Sequence, residues 1–158
     1  MYKCVLLDLD GTLINSNEAR FEEMKYGKQS TIAESVPLIN GAVAFMKAII
    51  ANGFKPVVVS DSHHKFVEPV VRNLFSRKLH FDIPTISLAD KPSVVKTQRC
   101  LEQIFPRIGL SLKDCIMVGD THLDIELARG LGIPSVLVKL PGLPSADSGD
   151  GLGKAHGH

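Results

Sequence analysis

Short apolar segments alternate with longer amphipathic ones along most of the chain, and this alternation constrains the fold more than any other feature. The apolar segments are rich in β-branched residues, which is typical of buried strands. The predicted strands are residues 4–9, 56–59, 83–88, 115–118 and 135–138. Strands separated by helices usually pair in parallel, with helices covering both faces of the sheet. The sequence therefore predicts an α/β protein with a Rossmann-like, three-layer fold and a mostly parallel central sheet.

The segments between these strands carry apolar residues at helical spacing. The predicted helices are residues 17–27, 40–53, 66–74, 93–105 and 123–131. Asn40 and Ser93 are expected to be N-caps, because their side chains can accept a hydrogen bond from the first turn. Pro69 is expected in the first turn of its helix, where a proline is tolerated.

The bulk composition excludes several classes of protein. The 158 residues include 18 Lys and Arg against 17 Asp and Glu, so the net charge gives no sign of a nucleic-acid or membrane surface. Three cysteines without a C-x-x-C pair argue against a disulfide framework or a structural zinc site. Without a signal peptide or an apolar stretch of about 20 residues, the protein is expected in the cytoplasm. One domain is predicted over residues 1–140, with a flexible tail over 141–158.

Acidic residues cluster where two of the predicted strands end. Asp8 and Asp10 are two residues apart, so both carboxyl groups can reach one cleft. Asp120 and Asp124 are four apart at the start of a helix and share one of its faces. Taken singly, each acid is as well explained by a helix cap or a solvated turn. Together they predict a site for a hard cation with oxygen ligands, Mg²⁺ being the usual choice beside phosphate.

A third strand end and a lysine complete this set of polar residues. Ser60 follows an apolar strand, and its hydroxyl with the backbone N–H of Asp61 can hold a phosphoryl oxygen. Lys91, directly before a proline and a helix start, supplies a positive charge. Each also has a plain alternative, since Ser and Asp are frequent caps and a single lysine is usually solvated. Ligands of parallel α/β sheets bind at the carboxyl ends of the strands, so these residues are expected to converge.

The chain resembles the haloacid dehalogenase superfamily of phosphohydrolases in four stretches that occur in the family's order. They are Asp8-Leu9-Asp10-Gly11-Thr12-Leu13, Val58-Val59-Ser60-Asp61, Lys91-Pro92 and Gly119-Asp120-Thr121-His122-Leu123-Asp124. The first and last are specific, whereas the middle two are weak alone. The resemblance covers the chain from about residue 2 to residue 138.

The resemblance implies a role for each of these residues. Asp8 would attack phosphorus and become an aspartyl phosphate, while Asp10 would act as general acid and then as general base. Asp8, the backbone carbonyl of Asp10 and Asp120 would hold Mg²⁺, supported by Asp124. Two further residues, Ser60 and Lys91, would bind the phosphoryl group. An acid at Asp10 is typical of the phosphatases in the superfamily, with phosphomutases a minority.

The space between the first two motifs is short, at residues 15–40, and indicates a missing or minimal cap domain. The expected partner is a phosphorylated small molecule or a larger phosphorylated substrate. Because the site has little or no cap, we also expect that the protein forms a homo-oligomer that covers the site or accepts a large phosphorylated partner. A phosphotransferase or mutase is the first alternative, although it would need a cap to exclude water. A non-enzymatic, receiver-like Mg²⁺-binding scaffold is the second. His63, His64 and His122 receive no assigned role, and Arg20 and Lys65 are candidate substrate contacts.

Overall fold

The structure, a computed structural model, describes residues 2–17, 21–25, 35–88 and 93–138. The strands and α-helices of this part of the chain are, in order, β1 (Cys4–Leu7), α1 (Glu22–Lys25), α2 (Ala42–Ala51), β2 (Lys55–Ser60), α3 (His64–Val71), α4 (Arg77–Leu79), β3 (Thr85–Ser87), α5 (Val94–Ile108), β4 (Cys115–Gly119), α6 (His122–Leu131) and β5 (Ser135–Leu137). A π-helical segment, Arg72–Ser76, joins α3 to α4, and a 3-10 turn, Leu112–Asp114, precedes β4.

All pairings in the five-stranded sheet are parallel, in the order β3-β2-β1-β4-β5. The predicted α/β, Rossmann-like fold is therefore confirmed. The first strand lies at the centre, where Leu7 pairs with Val58 of β2 on one side and with Val118 of β4 on the other. Because these strands run in parallel and in this register, their carboxyl ends lie next to one another at one edge of the sheet.

Alternate residues of the strands point to opposite faces of the sheet and form two hydrophobic cores. Leu7, Val58 and Val118 pack on one face with helices α1, α2 and α3. Leu6, Val57 and Met117 lie on the other face, under α5 and α6; the helix residues there include Leu101, Ile104, Leu127 and Leu131. The three layers follow from strands that are apolar on both faces.

Several boundaries differ from the sequence expectation. Helix α2 is capped by Gly41, not Asn40, because the chain turns there with a positive φ of 85° that favours glycine. Helix α3 begins at His64, since the ring of His63 accepts a hydrogen bond from the N–H of Lys65 at 3.2 Å. Pro69 consequently lies in the second turn of α3, and its expected place in the first turn was wrong. Ser93 caps α5 as predicted, with the N–H of Lys96 at 3.2 Å from its Oγ.

Two predicted segments lie wholly or partly outside the described residues. The predicted helix over 17–27 is described only around α1, and the tail over 141–158 is not described. In the part of the chain that the structure does describe, every helix is too short or too polar to cross a membrane.

Candidate active site

Three neighbouring strands place polar residues at the same edge of the sheet. Asp8 follows the last residue of β1, Ser60 ends β2, and Asp120 follows the last residue of β4. The backbone N–H of Asp8 donates to the carbonyl of Val118 at 3.1 Å, so the pairing of β1 with β4 continues up to the acids. Pairing between distant parts of the chain thus brings Asp8 next to Asp120.

Asp8, Asp120 and Asp124 form a compact group of carboxylates, the acid cluster. One oxygen from each lies within 4.8 Å of the others, close enough for a single ion to contact all three. Two glycines border this group. A Cβ atom at Gly11 would overlap Oδ2 of Asp120, and one at Gly119 would overlap the side chain of Asp124. The glycines therefore leave the room that the carboxylates occupy.

The electrostatics of the acid cluster favour a bound cation. Burial raises the pKa of Asp8 well above its ordinary value, and the charges of Asp124 and Asp120 raise it further. Burial also raises the pKa of Asp124 to about 7, although hydrogen bonds from the backbone of Thr121 act against the shift. Like charges held together out of water take up protons unless a positive charge joins them. The three carboxylates offer only oxygen atoms as ligands, and oxygen is the donor that a hard divalent cation such as Mg²⁺ prefers.

Asp124 also has a structural function at the start of α6. Its Oδ2 accepts hydrogen bonds from the backbone N–H groups of Asp120 at 3.1 Å and Thr121 at 3.3 Å. The hydroxyl of Thr121 donates to the same oxygen at 3.4 Å. Asp124 is therefore both the third residue of the capping box that Thr121 opens and a member of the acid cluster.

The carboxylate of Asp10 is paired with Lys25, which lies outside the acid cluster and which the sequence analysis did not identify. Nζ of Lys25 lies 3.0 Å from Oδ2 of Asp10, and the backbone N–H of Ser16 donates to Oδ1 at 3.1 Å. Lys25 ends α1 and is only 8% exposed. No local motif marks Lys25, which reads as one of several charged residues in a polar helix; the nearby apolar residues Phe21 and Met24 are the only sign that this helix faces the core.

Ser60 and Asp61 lie at the end of β2 with different exposure. Ser60 is 2% exposed, and its Oγ accepts a hydrogen bond from the N–H of Ser62 at 3.1 Å. Since a hydroxyl can both accept and donate, its hydrogen is left to donate to a second group. Asp61 is exposed, and its negative charge contributes to the raised pKa of Asp8.

The remaining candidates fall into two groups. Lys91 and Arg20 lie outside the described residues. The others lie at helix starts on the surface: the ring of His63 caps α3 and stacks against that of His64 with 4.2 Å between centroids, while Lys65 and His122 are exposed. The structure thus gives His63 a capping function at the start of α3.

Comparison with known families gives a match over most of the chain. Residues 18–132 match the family described as haloacid dehalogenase-like hydrolase. The matched range contains Ser60, Asp120 and Asp124 but begins after Asp8 and Asp10. Strand β1, which Asp8 follows, pairs with β2 and β4 of the matched range. No match was found among curated proteins.

Solved structures share the fold at low sequence identity. One is a HAD family enzyme from Bacteroides thetaiotaomicron in complex with magnesium and inorganic phosphate, with 14% identity, a TM-score of 0.61, and coverage of 89% of this chain and 96% of that one. A predicted phosphoglycolate phosphatase from Haemophilus somnus is 19% identical, with a TM-score of 0.61 and coverage of 92% and 90%. A predicted phosphatase from Clostridium acetobutylicum is 21% identical, with a TM-score of 0.62 and coverage of 87% and 85%.

Proposed function

This chain belongs to the haloacid dehalogenase-like hydrolases, and on that premise we propose that it is a Mg²⁺-dependent phosphatase. It would hydrolyse phosphomonoesters through an aspartyl phosphate on Asp8. The observation that carries the proposal is the acid cluster at the carboxyl edge of the sheet, with ligand oxygens within 4.8 Å of one another. The solved relative that contains magnesium and inorganic phosphate supports the choice of ion and of substrate class.

The metal site follows from the chemistry of the acid cluster. Asp8, Asp120 and the backbone carbonyl of Asp10 would hold Mg²⁺, and Asp124 would support the site. When bound, Mg²⁺ supplies positive charge that keeps Asp8 ionised and offsets negative charge on the phosphoryl oxygens. The raised pKa values of Asp8 and Asp124 in the metal-free chain support this need for a cation.

The side chains divide the reaction into two displacements. An oxygen of Asp8 attacks phosphorus, the bond to the ester oxygen breaks, and Asp10 protonates that oxygen as it leaves. A water molecule then gives a proton to Asp10 and attacks the phosphorus of the aspartyl phosphate, which restores Asp8 and releases phosphate. Ser60, with Asp61 N–H and Lys91, would bind the phosphoryl oxygens, because positioning and charge stabilisation dominate phosphoryl transfer.

The insert between the first two motifs bears on the size of the proposed phosphorylated substrate. The short insert between the first two motifs favours a large phosphorylated substrate, or a second copy of the chain that covers the site. Sedimentation of the purified protein, with turnover measured on phosphopeptides and small phosphate esters, tests this part. A monomer that hydrolyses only small esters would contradict it.

The proposal is tested by phosphate release from a panel of phosphomonoesters with Mg²⁺, using wild type, Asp8→Asn and the exposed-surface control Asp82→Asn. We expect turnover in wild type and in the control, and none in Asp8→Asn or with a chelator. Stable phosphorylation of Asp8 without turnover would instead indicate a receiver-like module. Transfer of the phosphoryl group to an added alcohol or sugar in preference to water would indicate a phosphotransferase.

A further inference from the structure

Lys25 is buried, which is unusual because lysine side chains are almost never buried unless they are paired. Its side chain is 10% exposed and its Nζ lies 3.0 Å from Oδ2 of Asp10, whose side chain is 28% exposed. Removing an ammonium group from water costs free energy that an ionised partner must offset. The burial of the Lys25 ammonium group therefore depends on the charge of Asp10, and Lys25 in turn holds the carboxylate of Asp10.

The backbone of Lys25 is anchored on two sides. The residues before it, Phe21 and Met24, are buried in the same core as α2 and α3. The carbonyl of Lys25 accepts a hydrogen bond from the N–H of His63 at 2.6 Å. His63 lies three residues after Ser60, so the position of the ammonium group is tied to the end of β2 as well as to the core.

Both carboxylate oxygens of Asp10 are consequently held in place. The N–H of Ser16 donates to Oδ1 at 3.1 Å, and Lys25 donates to Oδ2. Each carboxylate oxygen has a second lone pair, so the group can still carry a proton. Three elements thus determine where the Asp10 carboxyl group points: the turn after β1, helix α1 and, through His63, the start of α3.

We propose that Lys25 is a positioning residue for Asp10, which orients this carboxyl group toward the leaving oxygen of the substrate. The inference rests on the proposed phosphatase function. General acid–base catalysis contributes about 10²- to 10⁴-fold, and only when the acid is within hydrogen-bond reach of the reacting oxygen. A side chain held by Ser16 alone would rotate out of that reach, so loss of Lys25 lowers the fraction of molecules with Asp10 in position.

The leaving group of the substrate separates this function from a purely structural one. An aryl phosphate such as 4-nitrophenyl phosphate releases a stable anion and needs little help from an acid, whereas an alkyl phosphate needs a proton as its bond breaks. The test measures kcat/KM, which covers the step in which the leaving group departs, for a series of esters with Lys25→Met, Lys25→Arg, Asp10→Asn and the exposed-surface control Lys47→Met.

We expect Lys25→Met to lower kcat/KM by about tenfold or more for alkyl phosphates and by much less for 4-nitrophenyl phosphate. Lys25→Arg retains most of the activity, because its guanidinium still donates to Asp10, and Lys47→Met behaves as wild type. The double variant Lys25→Met with Asp10→Asn has a kcat/KM no lower than that of Asp10→Asn alone, since both changes remove the same function. Circular dichroism and thermal unfolding check each fold; Lys25→Leu, which also lacks a donor and has the same expected pattern, replaces Lys25→Met if that variant does not fold.

Three outcomes would overturn the inference while leaving the proposed function intact. They are equal losses for all leaving groups, losses that add to those of Asp10→Asn, and no loss at all, each in a folded variant. Wild type that releases phosphate from no ester would instead overturn the proposed function, and the inference with it.

Discussion

The α-carbon of Gly11 lies against the carboxylate of Asp120, so that a methyl group on it would overlap Oδ2 and come within 2.8 Å of Cγ. Gly11 also has a φ of 82°, a conformation that L side chains rarely adopt. The turn that follows Asp8 and the acid that follows β4 therefore share one small space. Any residue larger than glycine would have to displace the carboxylate from the acid cluster.

Gly11→Ala is predicted to lose both stability and metal binding. The backbone strain costs about 1–2 kcal/mol of unfolding free energy, and displacement of Asp120 removes the stabilisation by Mg²⁺. Gly53→Ala is a matched control, because Gly53 has a φ of 84° but no atom within 4 Å of its added Cβ. Chemical denaturation with and without Mg²⁺ measures both effects. Equal Mg²⁺ responses in the two variants would contradict the prediction.

Mg²⁺ is predicted to stabilise the folded wild-type chain through the acid cluster. A ligand that binds only the folded state adds about 2.7 kcal/mol at one hundred times its Kd. Asp120→Asn removes one ligand charge and should abolish most of this gain, whereas the exposed-surface variant Asp82→Asn should retain it. Thermal unfolding during a Mg²⁺ titration measures the gain, and chelator should reverse it. A gain of the same size in Asp120→Asn would place the ion elsewhere.

Stability of the metal-free protein is predicted to depend on Asp124 between about pH 4 and pH 7. The pKa of Asp124 rises from 3.8 to about 7 on folding, so the folded state binds more protons in this window. Its contribution is full below pH 4 and is lost as the pH rises toward 7. Asp124→Asn lacks this titration. As the pH rises across the window, its free energy of unfolding should therefore increase relative to that of wild type, by at most about 4 kcal/mol. Unfolding free energies in chelator at several pH values measure the difference; parallel curves would refute it.

Ser60→Ala is predicted to lower kcat/KM by about 10²-fold, the usual effect of removing one donor to a developing charge. Its Oγ accepts from the N–H of Ser62, so the hydroxyl hydrogen is oriented away from that group. Ser87 pairs with Ser60 in the neighbouring strand β3, and Ser87→Ala serves as the control. Steady-state phosphate release with both variants measures the effect. A loss of kcat/KM of similar size in Ser87→Ala would contradict the prediction, because the effect would then not be specific to the hydroxyl of Ser60.

The central sheet was predictable because its strands are marked by local patterns. The central residues of Lys55–Ser60 and Cys115–Gly119 are apolar and include β-branched side chains, and each strand is followed by a polar residue at the carboxyl edge. Ends of elements were less predictable. The cap at Gly41 depends on a positive φ, and the start of α3 at His64 depends on a side-chain hydrogen bond, neither of which a periodic pattern encodes.

The sequence by itself determined the order of the strands and helices, the α/β class and the acids that follow β1 and β4. These features depend on burial at a fixed period and on neighbours a few residues apart. The convergence of Asp8 with Asp120 and Asp124 was expected from their places at strand ends, but only the tertiary structure decided that their oxygens lie within 4.8 Å of one another. Only the tertiary structure also decided that Lys25 lies against Asp10. The first contact joins residues that are distant along the chain, and the second involves a lysine in a segment without a motif. They form because strand pairing and the docking of Phe21 and Met24 bury apolar area, which local sequence does not specify.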